Sequence, residues 1–296
     1  MSNIAAVVVT YNRKEMLLEC LRHLLNGSVV PDILVIDNAS SDGTAEAVKP
    51  LLDRGGIHYF NTGANLGGAG GFNFGIRKAV ELGYEYLWIM DDDCMPNSDA
   101  LEMLIKTGNK LHGDYGFLSS KVLWKDGSIC RMNVQRAKLT KNVKDFSQPL
   151  IPVVMASFVS LYMSAEVVRE MGLPIKEFFI WTDDWEYTRR ISRKRNCYLV
   201  TNSIVSHHSK ANIKADVSSE SIERLDRFKC LYRNDVVLYR REGLKGFGYE
   251  CIRLIVHSLR VLKNAHDYRW ARLRSIWEGT IAGLRFHPRI EYIDCD

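Results

Sequence analysis

The chain has 296 residues, 46% of them apolar and 25% charged, with a formal net charge of +5. That length buries a full core, as one large domain or one domain with a helical appendage, and the composition is that of an ordinary globular protein. The positive excess gathers at residues 189–195 and after residue 224, but it forms no single periodic stripe and no nucleic-acid-binding motif accompanies it, which excludes nucleic acid as a partner.

The opening run IAAVVV, residues 4–9, reads as a buried parallel strand. RKEMLLECLRHLLN follows at helical spacing, with Leu17, Leu21, Leu24 and Leu25 on one face. DILVIDN is a second buried strand. SSDGTAEAVKPLLDRG starts as a capped helix, with Ser or Asp ahead of Thr44. IHYFNT is a third strand, GANLGGAGGFNFGIRKAVELG a glycine-rich turn entering a helix, and YEYLWIMDDD a fourth strand. This alternation predicts a doubly wound α/β fold. SDALEMLIKTGNKL is another helix and YGFLSSKVLW a strand with a turn at KDGS. Residues 133–149 are polar and irregular, the signature of a mobile loop. IPVVMASFVSLYMS returns as one core strand, AEVVREMGL is a helix, and NCYLVTNSIVSHHS closes the sheet. From residue 219 onward the chain reads as helix.

Seven cysteines, at 20, 94, 130, 197, 230, 251 and 295, include no CxxC pair, so neither a metal knuckle nor a disulfide framework is expected and a reducing compartment fits. The apolar run near the N-terminus is too short for a signal peptide, and no stretch approaches the roughly 20 apolar residues that cross a bilayer. A cytoplasmic chain is expected, with peripheral contact at the inner face of the cytoplasmic membrane as an extension of that reading.

Open parallel sheets bind ligands at the carboxyl ends of their strands, where this chain carries Asp37 and the run Asp91, Asp92, Asp93. Three adjacent carboxylates repel one another, and burying them is costly unless cations or donors compensate. A divalent Mg²⁺ or Mn²⁺, held by one or two carboxylates and a substrate's phosphates, answers that cost. In an extended run Asp91 and Asp93 point one way and Asp92 the other, which gives the first two to the ion and Asp92 to sugar or backbone. An exposed acidic turn capping the next helix is the plainer alternative. NLGGAGGFNFG holds five glycines, suited to close approach of a phosphate or to a helix packed tightly on the sheet. It matches neither the dinucleotide fingerprint nor the P-loop. WTDDWEY places Asp183, Asp184 and Glu186 at a helix start, where the dipole alone favours acids. A carboxylate there can also take the proton of an acceptor hydroxyl. SHHS supplies His207 and His208, either able to complete a metal site.

Taken in order, VVVTYNR, VIDNASSDGT, NTGANLGGAGGFNFG and WIMDDDCMP resemble the nucleotide-sugar motifs of the family 2 glycosyltransferases, which have the GT-A fold. The resemblance covers about residues 3–210. WTDDWEY followed by HH further resembles the bacterial galactofuranosyltransferases, including the mycobacterial cell-wall enzymes; the rhamnosyltransferases are the close alternative. The resemblance implies a GT-A catalytic domain over 1–215, with a nucleotide-binding part at 1–96 and an acceptor part at 97–215, then a helical region at 216–296. It implies that Thr10, Tyr11, Asn12 and Arg13 line the nucleotide pocket, that Asp37 holds the base, and that Asn65, Gly67 and Gly68 lie near ribose and diphosphate. Asp91 and Asp93 would bind Mn²⁺ or Mg²⁺, with His208 by its spacing after Asp184 and His207 as the rival. Asp92 would contact the donor and Trp181 would stack on a sugar. Asp184 would be the general base, with Asp183 beside it and Glu186 helping to place the acceptor. The galactofuranosyltransferase pattern is WDD, whereas Thr182 intervenes here, which leaves the aromatic platform open.

The implied reaction is inverting transfer of galactofuranose from UDP-galactofuranose to a hydroxyl of a glycan or lipid-diphosphate-linked acceptor in bacterial surface polysaccharide synthesis. Rhamnosyl transfer from dTDP-rhamnose and a non-catalytic sugar-nucleotide binding protein are the alternatives. In the C-terminal region CIRLIVHSLRVLKN has apolar positions at helical spacing with Arg253, Arg260 and Lys263 between them. Such a helix lies on lipid, packs on the catalytic domain, or meets another subunit of a homo-oligomer.

Overall fold

The computed structural model describes residues 3–52 and 55–293; Cys295 lies outside them. The strands are β1 (Ile4–Thr10), β2 (Asp32–Asp37), β3 (Ile57–Asn61), β4 (Tyr86–Asp91), β5 (Cys94–Pro96), β6 (Leu118–Trp124), β7 (Arg136–Lys138), β8 (Lys141–Asn142), β9 (Leu150–Pro152), β10 (Leu161–Ser164) and β11 (Tyr198–His207). The helices are α1 (Lys14–Leu25), α2 (Thr44–Leu52), α3 (Gly67–Glu81), α4 (Ala100–Lys110), α5 (Ala165–Met171), α6 (Asp183–Ser192), α7 (Leu225–Arg240), α8 (Gly243–Asn264) and α9 (Arg269–Arg285).

One sheet runs in the order β3-β2-β1-β4-β10-β6-β11-β5, with β9 paired to β11. β1 to β4 are mutually parallel, β11 runs parallel to β6, and β10 lies antiparallel between β4 and β6. This is the largely parallel, helix-flanked sheet of a GT-A fold. Side chains alternate across a strand, and β1 shows why both its faces must be apolar. Ala5, Val7 and Val9 join one core with Phe72 and Ile76 of α3 and Tyr187 and Ile191 of α6. Ile4, Ala6 and Val8 join the opposite core with Leu17, Leu21 and Leu24 of α1, Val48 of α2 and Leu104 of α4. Leu25 is only partly buried at the edge of that second core.

Two expectations are corrected. Residues 133–149 are not an open loop: they include the β7–β8 hairpin, with Gln135 and Val143 buried. The run IPVVMASFVSLYMS is not one strand. It forms β9 and β10, separated by residues 153–160. The C-terminal helices share a core of Leu225, Phe228, Tyr232, Leu254, Val261 and Ile276, and Trp181 of the preceding part packs on it. The six described cysteines are unpaired. Among the described residues no helix is long and apolar enough to cross a membrane.

Candidate functional site

The register of the parallel strands sets Thr10 beside Asp37 and Val9 beside Asp91, so β1, β2 and β4 end at a common edge. β4 stops at Asp91, and Asp92 and Asp93 form a turn into β5. The strand alternation expected for the three acids therefore fails: Asp92 and Asp93 share a partner instead of facing opposite ways. One Arg13 Nη1 donates to Asp92 Oδ1 at 3.1 Å and to Asp93 Oδ2 at 2.8 Å, and Thr10 Oγ1 donates to Asp92 Oδ2 at 2.8 Å. Burial would lower the Arg13 pKa, but the three carboxylates hold it above its ordinary value. Burial pushes Asp92 up to about 6 against the pull of Arg13. Asp91 rises to about 7, through burial and then the charge of Asp93.

β11 runs antiparallel to β5 with His207 opposite Cys94, which brings the imidazole to the acidic turn. His207 Nε2 lies 3.1 Å from Asp93 Oδ1, without completing a well-aligned hydrogen bond to that buried oxygen. Its Nδ1 faces Cys130 Sγ at 3.6 Å. Burial opposes protonation of His207, but Asp93 and Cys130 raise it to about 10. Burial likewise works against ionised Asp93, yet His207 and Arg13 hold it below the usual range. The neighbouring His208 does not share this place. It follows the last residue of β11 and its ring lies toward Glu19, 3.8 Å away, so of the two rings only that of His207 stands beside the Asp93 carboxylate. The donor set suits a divalent cation: Asp91 is half-buried with no side-chain hydrogen bond, and Asp93 Oδ1 lacks a well-directed donor. Among the described residues no three His, Cys, Asp or Glu side chains converge tightly enough to cage a metal. An ion here would take one or two protein carboxylates and draw its remaining ligands from phosphate and water.

The second acidic group sits at the start of α6, behind a corner in which Phe179, Trp181 and Thr182 have φ of 63°, 65° and 68°. Non-glycine residues enter this region at a cost of about 1–2 kcal/mol each. α7 holds the corner. The buried Asn234 amide donates to the carbonyls of Phe178, Ile180 and Trp181 at 2.9–3.1 Å. Thr182 Oγ1 donates to Asp235 at 2.7 Å, and Asp235 pairs with Arg253 of α8 at 2.7 Å. Burial raises Asp183 to about 6, against the backbone N–H groups of the helix start. Burial and then the charge of Asp183 raise Asp184 further above its ordinary value. Glu186 does not line the cavity with the other two acids: it is buried against the fork of Arg190 at 2.9 Å and paired with Arg241.

The remaining expected residues fall at the same edge in different roles. Asp37 is fully buried, accepting from the Ser40 N–H at 2.9 Å and from the Tyr59 hydroxyl. Asn12, at φ 51°, accepts from the Ser41 N–H, and Tyr11 is exposed. Asn65 Oδ1 accepts from the Gly67 N–H at 2.9 Å. The glycines of α3 divide into two uses. A Cβ on Gly71 would meet Val9 at 2.6 Å, and one on Gly75 would meet Val7 at 2.6 Å, so these serve close helix–sheet packing. Gly68 faces open space.

A cavity of about 600 Å³ joins the two acidic groups. Gly68, Asp91 and His207 line one side, and Trp181, Asp183 and Asp184 another. Arg253, His257 and Arg260 of α8 close it. Trp181 packs edge-on against Phe228, ring centroids 5.0 Å apart. Trp185, on the same wall, lies under the Arg136 guanidinium at 4.5 Å.

Residues 5–115 match the sequence model of glycosyl transferase family 2. That segment, over a third of the chain, is similar to the family 2 glycosyl transferases. The galactofuranosyltransferase GlfT1 of Mycolicibacterium smegmatis is 27% identical over 201 residues, which are 64% of this chain and 65% of that one. The aligned segment thus spans under two thirds of the relative's length. Among solved structures, the mannosyltransferase PcManGT of Pyrobaculum calidifontis, in complex with GDP-Man and Mn²⁺, superposes with TM-score 0.57 at 14% identity, over 96% of this chain and 75% of that one. GalNAc-T7, with UDP, GalNAc and Mn²⁺, superposes with TM-score 0.58 at 16% identity, over 77% and 48%. At these identities the likeness is one of fold. The family 2 segment ends before β6, so His207, the α6 acids and the α7–α8 wall lie outside it. Sequence reasoning missed Tyr59, Cys130, Asn234 and Asp235. Each is an ordinary residue whose partner is distant in sequence, and no local pattern marks it.

Proposed function

We propose that this chain is an inverting glycosyltransferase that moves galactofuranose from UDP-galactofuranose to a hydroxyl of a glycan acceptor. One observation carries the reading: Asp91 at the end of β4 and the Asp183–Asp184 pair at the start of α6 line the same cavity. A nucleotide diphosphate and an acceptor hydroxyl can therefore meet in one space. The mycobacterial relative named as a galactofuranosyltransferase supports the choice of sugar.

Thr10, Arg13 and Asp92 form the rigid floor beside the donor's diphosphate. Asp91 and Asp93 would hold Mn²⁺ or Mg²⁺ together with phosphate and water, with His207 beside them, and such an ion, when bound, would neutralise charge that builds on the leaving diphosphate. Asp184 takes the proton of the acceptor hydroxyl. The freed oxygen attacks the anomeric carbon, the bond to the diphosphate oxygen breaks, and nucleoside diphosphate leaves with that electron pair. Burial, which raises Asp184, also makes its carboxylate a stronger proton acceptor once ionised. Asp183, next to it, sets how readily that ionisation occurs. No covalent sugar intermediate is required.

The test is nucleotide diphosphate release with acceptor from a panel of UDP- and dTDP-sugars in Mn²⁺ or Mg²⁺. UDP-galactofuranose should be preferred, and preference for dTDP-rhamnose would overturn the donor assignment. Asp184→Asn should lower transfer by roughly 10²–10⁴-fold while leaving nucleotide affinity intact.

A further inference from the structure

α8 is an amphipathic helix turned inside out. Its charged and polar face looks inward: Glu250 is buried, and Arg253, His257 and Arg260 line the cavity. Its apolar face looks outward. Leu244 is 91% exposed, Ile252 63%, Ile255 56% and Leu259 59%, with Phe247, Val256 and Leu262 beside them. These positions recur at three- and four-residue spacing, which puts them on one stripe of a helix. Scattered exposed apolar residues are ordinary; a continuous stripe of this length marks a docking surface.

The charges on the helix identify what docks. Lys245 and Lys263 are exposed on α8, and its single acid, Glu250, is buried and paired with Arg253 at 2.7 Å. The outward surface therefore offers apolar side chains and cations and no carboxylate. Packing this face against its copy would bring lysines together with no acid on α8 to meet them. An anionic bilayer surface supplies both halves of the complement, acyl chains for the stripe and phosphates for the lysines. α9 adds Trp270, 82% exposed, and Trp277, the residue type that settles at membrane–water interfaces. We infer that the outer face of α8 docks the protein onto a lipid surface bearing anionic headgroups, with the helix lying in the interfacial plane. This inference is independent of the sugar donor.

Flotation with liposomes tests it, using the full chain without any nucleotide sugar. The protein should float with vesicles of phosphatidylglycerol and phosphatidylcholine in equal parts, and more weakly with phosphatidylcholine alone. The double variant I255E/L259E should lose vesicle binding by about tenfold or more, with an unchanged melting curve because both positions are exposed. K245E/K263E should keep the stripe but lose the preference for anionic vesicles. A wild-type protein that floats with neither vesicle overturns the inference, as does an I255E/L259E variant that floats equally well. Light scattering separates the rival occupant. A dimer that I255E/L259E converts to monomer, in a protein that ignores vesicles, would assign this face to a second copy.

Discussion

Asn234→Ala tests whether α7 holds the acids of α6 in place. The amide nitrogen of Asn234 donates to three carbonyls around the corner that precedes Asp183. Phe178 O has other donors, from the Arg233 guanidinium at 3.1 Å and the Ile180 N–H at 2.7 Å. The Ile180 and Trp181 carbonyls lose the side-chain donor recorded for them. A buried polar group left without a partner costs about 1–3 kcal/mol, so with two such carbonyls the variant should be less stable by about 2–6 kcal/mol. The loss for activity should be larger in kind. Phe179, Trp181 and Thr182 are held at positive φ, and without the clamp the corner can relax to an unstrained path, carrying Asp183 and Asp184 away from Asp91. Urea unfolding measures the first effect and nucleoside diphosphate release the second, while nucleotide affinity, which the proposed reading assigns to the ends of β1, β2 and β4, should hold. Asn234→Asp, equal in shape but presenting a carboxylate to those carbonyls, should be worse than alanine. An alanine variant within about 0.5 kcal/mol of wild type, with an unchanged rate, would refute the reasoning.

Glu186→Gln should destabilise the chain by about 3–5 kcal/mol, because it breaks a buried cluster and leaves Arg190 and Arg241 uncompensated; the fraction still folded should bind nucleotide normally, and the two are separated by unfolding and binding titrations. Asp183, raised from 3.8 to about 6 by burial, contributes stability that is complete below its unfolded pKa and is lost as pH rises through about 6. Asp183→Asn should therefore stabilise the chain by up to about 3 kcal/mol near pH 8 and by almost nothing near pH 4, read from unfolding curves at the two values. His207→Ala should weaken Mn²⁺ binding in the presence of nucleotide by roughly tenfold or more, and His208→Ala should not, as measured by calorimetry. Because a protonated His207 beside Asp93 repels a cation and His207 is raised to about 10, wild-type affinity should climb with pH across the neutral range.

The first four strands and their helices were legible because continuous apolar runs and helical leucine spacing are strong local signals. The acids at the carboxyl ends were legible as a liability that needs cations. The details were not. Period-two reasoning applies only while the chain is extended, and β4 turns at Asp92. Counting residues after Asp184 favoured His208, whereas the pairing of β11 with β5 decides which imidazole faces Asp93. The true partner of Glu186 comes partly from α7's C-terminal end, at Arg241, and the corner ahead of α6 is fixed by an amide of α7. Neither leaves a trace in the local sequence. The division at 215 also hides how far the C-terminal helices build the cavity wall.

The acidic turn brings its own counter-charges. Arg13 spans two carboxylates, a protonated imidazole stands beside the second of them, and Asp91 sits close to half-titrated at neutral pH. On the proposed reading the polypeptide completes its fold in a chelating buffer, before any ion arrives, and withdrawal of manganese or magnesium silences it reversibly, leaving an intact chain that resumes work on resupply.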